Sequence, residues 1–144
     1  MKYLLLLPLV ILLSSAGWRT DFEKSKSDAK SSHKLILLKF SGSDWCLPCI
    51  RMEKEVFGND SFKKFAGSHL EMVNADFPRL GKHKLDENLA KQNDALAEKY
   101  DKDGHFPYTV LLTSDGKVLK TWEGYTGSKP AEYIAEISSF TNAN

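Results

Sequence analysis

Apolar positions along this chain fall into blocks whose period changes from segment to segment. Thr20-Asp21-Phe22-Glu23 has the form of a capping box, with Thr20 capping backbone amides and Glu23 reaching back, so a helix is expected from about Asp21 to Ser32. Its apolar face is thin, with Phe22 and Ala29 the main members, and a partly mobile polar segment would fit the same composition. Trp18, just ahead, is expected to open a short edge strand. Leu35-Ile36-Leu37-Leu38-Lys39-Phe40 is nearly continuous in apolar residues, the pattern of a central strand covered on both faces. Ser41-Gly42-Ser43-Asp44 breaks it, and from Cys46 the spacing turns helical, with Ile50, Met52, Val56 and Phe57 apolar between charged neighbours.

The second half repeats the alternation. After the interruption at Gly58-Asn59-Asp60-Ser61, Phe62 to Ala66 gives a further turn or two of helix, and Leu70 to Ala75 reads as a strand. A basic, turn-rich stretch, Pro78 to Lys84, precedes a helix over Asp86 to Tyr100 marked by Leu85, Leu89, Leu96 and Tyr100. Strands Tyr108 to Thr113 and Lys117 to Trp122 flank the hairpin signal Ser114-Asp115-Gly116. A last helix starts near Pro130 and runs to about Phe140, with Tyr133, Ile134 and Ile137 inward. The order helix, strand, helix, strand, helix, strand, strand, helix is an α/β pattern without internal repeats, and predicts one domain over residues 17–144.

Composition adds limits. With 144 residues, 42% hydrophobic content and a formal net charge of +1, the chain suits one small core, and its interspersed charges give no footprint for nucleic acid or an anionic membrane. Lys2, the apolar run Tyr3 to Leu13, and the small residues Ser14, Ser15, Ala16 and Gly17 read as a signal peptide over residues 1–16, with cleavage after Ala16. The run is interrupted by Pro8 and falls short of the roughly 20 apolar residues a spanning helix needs. The protein is therefore expected to be exported, periplasmic or secreted.

Export gives meaning to the two cysteines, Cys46 and Cys49, which are the whole cysteine content and stand as CxxC in Trp45-Cys46-Leu47-Pro48-Cys49. A bridge across so short a loop constrains little chain, so a structural staple is the weaker reading and redox exchange the stronger. A free cysteine with a pKa near about 8.5 is mostly protonated at neutral pH. At a helix amino terminus, however, unpaired amides and the helix dipole favour the Cys46 thiolate as nucleophile, with Cys49 one turn deeper as resolving thiol. That chemistry requires the Cys46 sulfur to be reachable from solvent. Leu47 and Pro48 supply no cation between the cysteines, which favours a reductant over an oxidant. His33, His69 and His83 are scattered, a poor zinc site, and no metal or cofactor is expected.

The segments Phe40 to Cys49, Phe106-Pro107-Tyr108-Thr109 and Asp115-Gly116-Lys117-Val118 together resemble the thioredoxin superfamily, and more narrowly exported thioredoxin-like proteins carrying GSDWCxxC. The resemblance covers the chain from about Trp18 to its end. It implies a thioredoxin-like fold, a central mixed β-sheet with helices on both faces, closing in a hairpin and C-terminal helix. It also implies a cis Pro107 and a substrate-binding surface of Trp45, Phe106 and Pro107, where an extended chain pairs by its backbone. Gly124, beyond the last strand, would allow a close backbone approach.

One position departs from the family. Where many thioredoxins bury an aspartate that moves a proton to the second cysteine, this chain has Lys39, which serves only if burial lowers its pKa. The expectation is that Lys39 points its charge outward along the strand end. Glu53, a turn after Cys49, and His105, ahead of Pro107, are the substitute proton-transfer candidates, each reading first as a solvated surface group.

The function expected is a monomeric thiol-disulfide oxidoreductase acting on disulfide-containing proteins. With no flavin or nicotinamide motif, it is expected to draw electrons from a separate dithiol protein, membrane-embedded or soluble. The alternative is a non-catalytic thioredoxin-fold module that binds peptides or delivers copper with the dithiol as ligand. The insertion-like stretch Phe77 to Lys84 is expected to shape partner choice or to be a tolerated elaboration of the surface.

Overall fold

The computed structural model describes residues 17–142, and the expected signal peptide lies outside them. Strand β1 (Leu35–Ser41) is buried at every position, Lys39 included, as its nearly continuous apolar run anticipates. It lies inside a four-stranded sheet of order β2-β1-β3-β4, parallel to β2 (Leu70–Asp76) and antiparallel to β3 (Tyr108–Leu112). Strand β4 (Val118–Glu123) pairs antiparallel with β3 and forms an edge with half its positions exposed. Arg19 adds one parallel bridge to Val73, so the segment at Trp18 does reach the far edge as a single bridge rather than a strand.

Helices cover both faces, as expected. Helices α1 (Phe22–Ser32) and α4 (Glu87–Tyr100) bury Phe22, Ala29 and Leu96 against Ile36, Leu38, Phe40 and Val110. On the opposite face lie α2 (Leu47–Met52), α3 (Asp60–His69) and α5 (Pro130–Thr141), which pack Met52, Phe62, Ala66, Tyr133 and Ile137 onto Leu35, Leu37, Met72 and Leu111. Alternate β1 side chains feed alternate cores, so Lys39 falls on the face shared with α2.

Two local expectations are corrected. The cap of α1 is Asp21, whose carboxylate accepts the Lys24 amide at 2.9 Å, so the Thr20/Glu23 box does not form; the chain stays extended one residue further before turning. Helix α3 is longer than a turn or two, because Asn59 caps it at the Ser61 amide and Phe62 and Ala66 are buried together. Between them α2 passes into a wider, π-type turn, Glu53–Phe57, closed by the Gly58 amide on the Glu53 carbonyl at 2.7 Å.

The cap assignment is directly testable. Asp21→Ala should lower unfolding free energy by about 1 kcal/mol, and Thr20→Ala by less than about 0.5 kcal/mol, in urea titrations followed by circular dichroism. The reverse order would restore Thr20 as the cap.

Candidate active site: the dithiol and its anchored loop

The site is built where β1 ends and α2 begins. Gly42 lets the chain turn under its own tryptophan: a Cβ there would run into the Trp45 indole. The amides of Trp45 and Cys46 both reach back to the Gly42 carbonyl, at 3.2 and 2.9 Å. Cys46 is then the N-cap of α2, and its sulfur accepts the Cys49 amide at 3.3 Å. Cys46 and Cys49 are joined as a disulfide with Cα atoms 5.2 Å apart. In the reduced protein the same amide would meet a thiolate, which is the stabilisation a nucleophilic cysteine needs.

Exposure differs from the simple expectation of an open first sulfur. Cys46 and Cys49 retain 5% and 4% of their surface, while Leu47 and Ile50 beside them stand out at 72% and 45%. It is Cys49 that lines a cavity of about 390 Å³, with Trp18, Lys39, Ser41, Glu53 and the exposed Lys54 among its walls. The disulfide therefore sits in the floor of an apolar rim, and a partner must press against Leu47 and Ile50 to reach it.

Lys39 is the largest correction. It does not point outward: it is buried on the dithiol side of β1, and its Nζ lies 2.5 Å from Glu53 Oε2 and 4.0 Å from the centre of the Trp18 ring. Burial pushes the Lys39 pKa below the usual lysine value, and the Glu53 carboxylate pulls it only partly back. Glu53 also takes the Trp18 indole N–H, at 2.9 Å. Sequence reasoning missed Trp18 as a member of the site; a lone tryptophan ahead of a polar helix was its one signal. Thr109, in register with Lys39, has a buried hydroxyl with no hydrogen-bond partner among the described residues.

His105 is drawn elsewhere. Its backbone and Nδ1 face Asp101 at 3.0 and 3.3 Å, and its Nε2 lies 3.2 Å from Glu123, so it does not join Lys39 and Glu53 in the cavity beside Cys49. Burial raises the pKa of Asp101. The Phe106–Pro107 peptide bond is cis, and the Pro107 carbonyl accepts the Gly124 amide at 2.8 Å. Phe106 meets the Trp45 ring edge-on with centroids 5.3 Å apart, which joins those two predicted substrate-binding residues in one aromatic patch with Phe77.

Residues 77–84 are fastened to this patch from below. Asp44, nearly buried, accepts the amides of Arg79 and Leu80 at 3.0 Å each and faces His83 Nδ1 at 3.0 Å. Trp45 donates its indole N–H to the Phe77 carbonyl at 2.7 Å, and the Arg79 guanidinium lies 3.6 Å from the centre of the Trp45 ring. Asp76 ties the preceding turn through the Ser43 amide and hydroxyl.

A thioredoxin-like domain model matches residues 22–140. The chain belongs to the thioredoxin-like family. Within it, the chain is 34% identical over 129 residues to the disulfide bond reductase DsbH of Chlamydia pneumoniae, covering 90% of this chain and 75% of that one. A solved DsbH oxidoreductase structure superposes with a TM-score of 0.78 at 30% identity, over 100% of this chain and 96% of that one. A disulphide isomerase from Xylella fastidiosa superposes with a TM-score of 0.59 at 25% identity, covering 94% and 99%. With the thioredoxin-like fold and a bridged CxxC pair, the chain is a thiol-disulfide oxidoreductase.

Acid should unfasten the loop. The Arg79 amide, followed by His83 and the Leu80 amide, holds the Asp44 carboxyl down at about 2. Because the folded value lies below the ordinary 3.8, the stabilisation is complete above that value and is lost as pH falls through about 2. Wild-type stability, followed by denaturant titration at successive pH values, should fall more steeply between those limits than that of Asp44→Asn. Parallel curves would separate Asp44 from the acid response.

Proposed function

We propose that this oxidoreductase is exported and works mainly as a reductant of protein disulfides, with Cys46 as attacking and Cys49 as resolving sulfur. The observation that carries the reading is the Cys46 sulfur at the start of α2, held by the Cys49 amide and bonded to Cys49 itself. In the reduced form the Cys46 thiolate attacks one sulfur of the substrate bridge, forming a mixed disulfide and releasing the other as a thiolate that takes up a proton. Cys49, losing its proton, then attacks Cys46. The substrate leaves with both sulfurs reduced, and the bridge seen here is regenerated.

The proton of Cys49 needs an acceptor, and the Lys39–Glu53 pair is placed to provide one. Both residues line the cavity that Cys49 enters, and burial lowers the pKa of the Lys39 ammonium, which eases its passing a proton to Glu53. The lysine and carboxylate thereby stand in for a single buried acid: Glu53 takes the proton directly or through Lys39, and the outer, half-exposed side of Glu53 returns it to water. The substrate chain lies across Leu47, Trp45, Phe106 and the strand end at Pro107.

The reductant assignment rests on Leu47 and Pro48, which place no cation beside the nucleophile, and on the reductase name of the Chlamydia relative. Each turnover leaves the protein oxidised, so a separate dithiol donor must restore it. Export agrees with the leader-like start of the chain, and among the described residues no helix is long and apolar enough to cross a membrane.

Cys46→Ser and Cys49→Ser should each lose turnover of a protein disulfide by at least about a hundredfold, and only Cys49→Ser should accumulate a covalent complex with substrate. Retained turnover in both would refute dithiol chemistry. The potential measured against glutathione should lie near about −270 mV for a reductant, and a value near about −120 mV would mark an oxidant. Glu53→Gln should slow resolution of the mixed disulfide while leaving capture at Cys46 nearly intact; unchanged resolution would remove the pair from the proton path.

A further inference from the structure

The charged groups around the dithiol are not balanced by sign of availability. The acids nearby are all engaged: Asp44 by two amides and His83, Asp76 by Ser43, Glu53 by Lys39 and Trp18, and Glu123 by His105. Lys39 and Arg51 are paired too, but four other cations are not. Arg79, Lys82 and Lys84 are exposed and have no carboxylate within ion-pair distance among the described residues, and the same is true of Lys54 at the cavity mouth. Arg79 and Lys54 approach the dithiol from different sides, one over Trp45 and one beside Cys49. Between them stand the exposed apolar side chains Leu47 and Ile50, and Leu80 projects at 48% exposure from the loop.

This availability is fixed rather than incidental. A loop that carried three cations on free backbone would let them drift apart and be screened. Here the backbone of Arg79 and Leu80 is bound to a carboxylate two positions before the nucleophile, so the loop that carries the cations is tied to the turn ahead of Cys46, with Arg79 over the Trp45 ring. Asp44 is engaged by those amides and its side chain is only 5% exposed, so it is not itself a surface partner for the cations. Asp94 on α4 shares with Arg79, Leu80 and Lys84 a cleft that contains neither cysteine, but it makes no ion pair with either cation among the described residues.

We propose that residues 77–84, held by Asp44 and Trp45, form with Lys54 a cationic docking rim for polypeptides that carry acidic residues beside their disulfide. Apolar side chains of the partner meet Leu47, Ile50 and Leu80, while its carboxylates pair with Arg79, Lys82, Lys84 and Lys54. The net charge of +1 hides this preference, because the balancing acids lie elsewhere or face inward. Rim charges of this kind act on the rate of encounter more than on the chemical step, and the preference fades with salt.

This inference rests on the oxidoreductase reading above, and its test separates the two. Pre-reduced protein is mixed with two peptide disulfides identical except for aspartate-glutamate or lysine-lysine flanks, and second-order rates are measured at about 20 mM and about 500 mM sodium chloride. The acidic peptide should react about tenfold faster at low salt, with the ratio shrinking toward one at high salt. In R79E/K82E/K84E the order of the two peptides should reverse. The ratio is internal to each protein, so general loss of activity does not affect it, and K82E/K84E provides the same reading if the triple variant does not fold. A wild-type ratio near one at low salt, or an unchanged ratio in the variants, overturns the rim while leaving exchange chemistry standing. Failure to reduce either peptide overturns both.

Discussion

A lysine ammonium inside a small protein must find a counter-charge, and the surroundings of Lys39 are organised by that need. Leaving it unpaired in the interior would cost several kcal/mol. Its partner, Glu53, sits at the first position of the π-type turn that follows α2, where the helix widens. The same carboxylate fastens Trp18, whose ring covers the ammonium. One buried charge thus joins the middle of β1, the helix that carries both sulfurs, and the segment ahead of α1. Removing the carboxylate would strand both the ammonium and the indole N–H.

Much of this was legible in the amino-acid order. The apolar run at β1, the helical period from Cys46, the strand at Leu70 and the final hairpin and helix all report burial on one or both faces, and burial is what periodicity records. The dithiol was visible because two cysteines so close together have little structural use. Less visible were features set by a single side chain's choice of partner. Thr20 and Asp21 are both good caps, and only the backbone path decides between them. Lys39 looked like a strand-end charge because nothing local shows that Glu53 and Trp18 converge on it from opposite directions in the chain. His105, close to Pro107 in sequence, was captured by Asp101 and Glu123, a preference that spacing does not reveal.

The loop over residues 77–84 shows how a surface elaboration becomes part of a site. Its sequence reads as turn-rich and basic, with no hydrophobic period to hold it. What fixes it is the hydrogen-bonding capacity of Asp44, which lies in the turn between β1 and the nucleophile, and of the Trp45 indole. Local turn chemistry just ahead of the nucleophile therefore orders a segment more than thirty residues away. A rigid aromatic patch of Trp45, Phe77 and Phe106 is the result, with Arg79 laid across it.

Trp18 precedes every regular element of the fold, yet its indole N–H is bound to Glu53 and its ring forms a wall of the cavity beside Cys49. Loss of that one side chain would strip one of the carboxylate's donors and widen the approach to the second sulfur. Reactivity at the dithiol is thereby tied to a segment that contributes only a single bridge to the sheet.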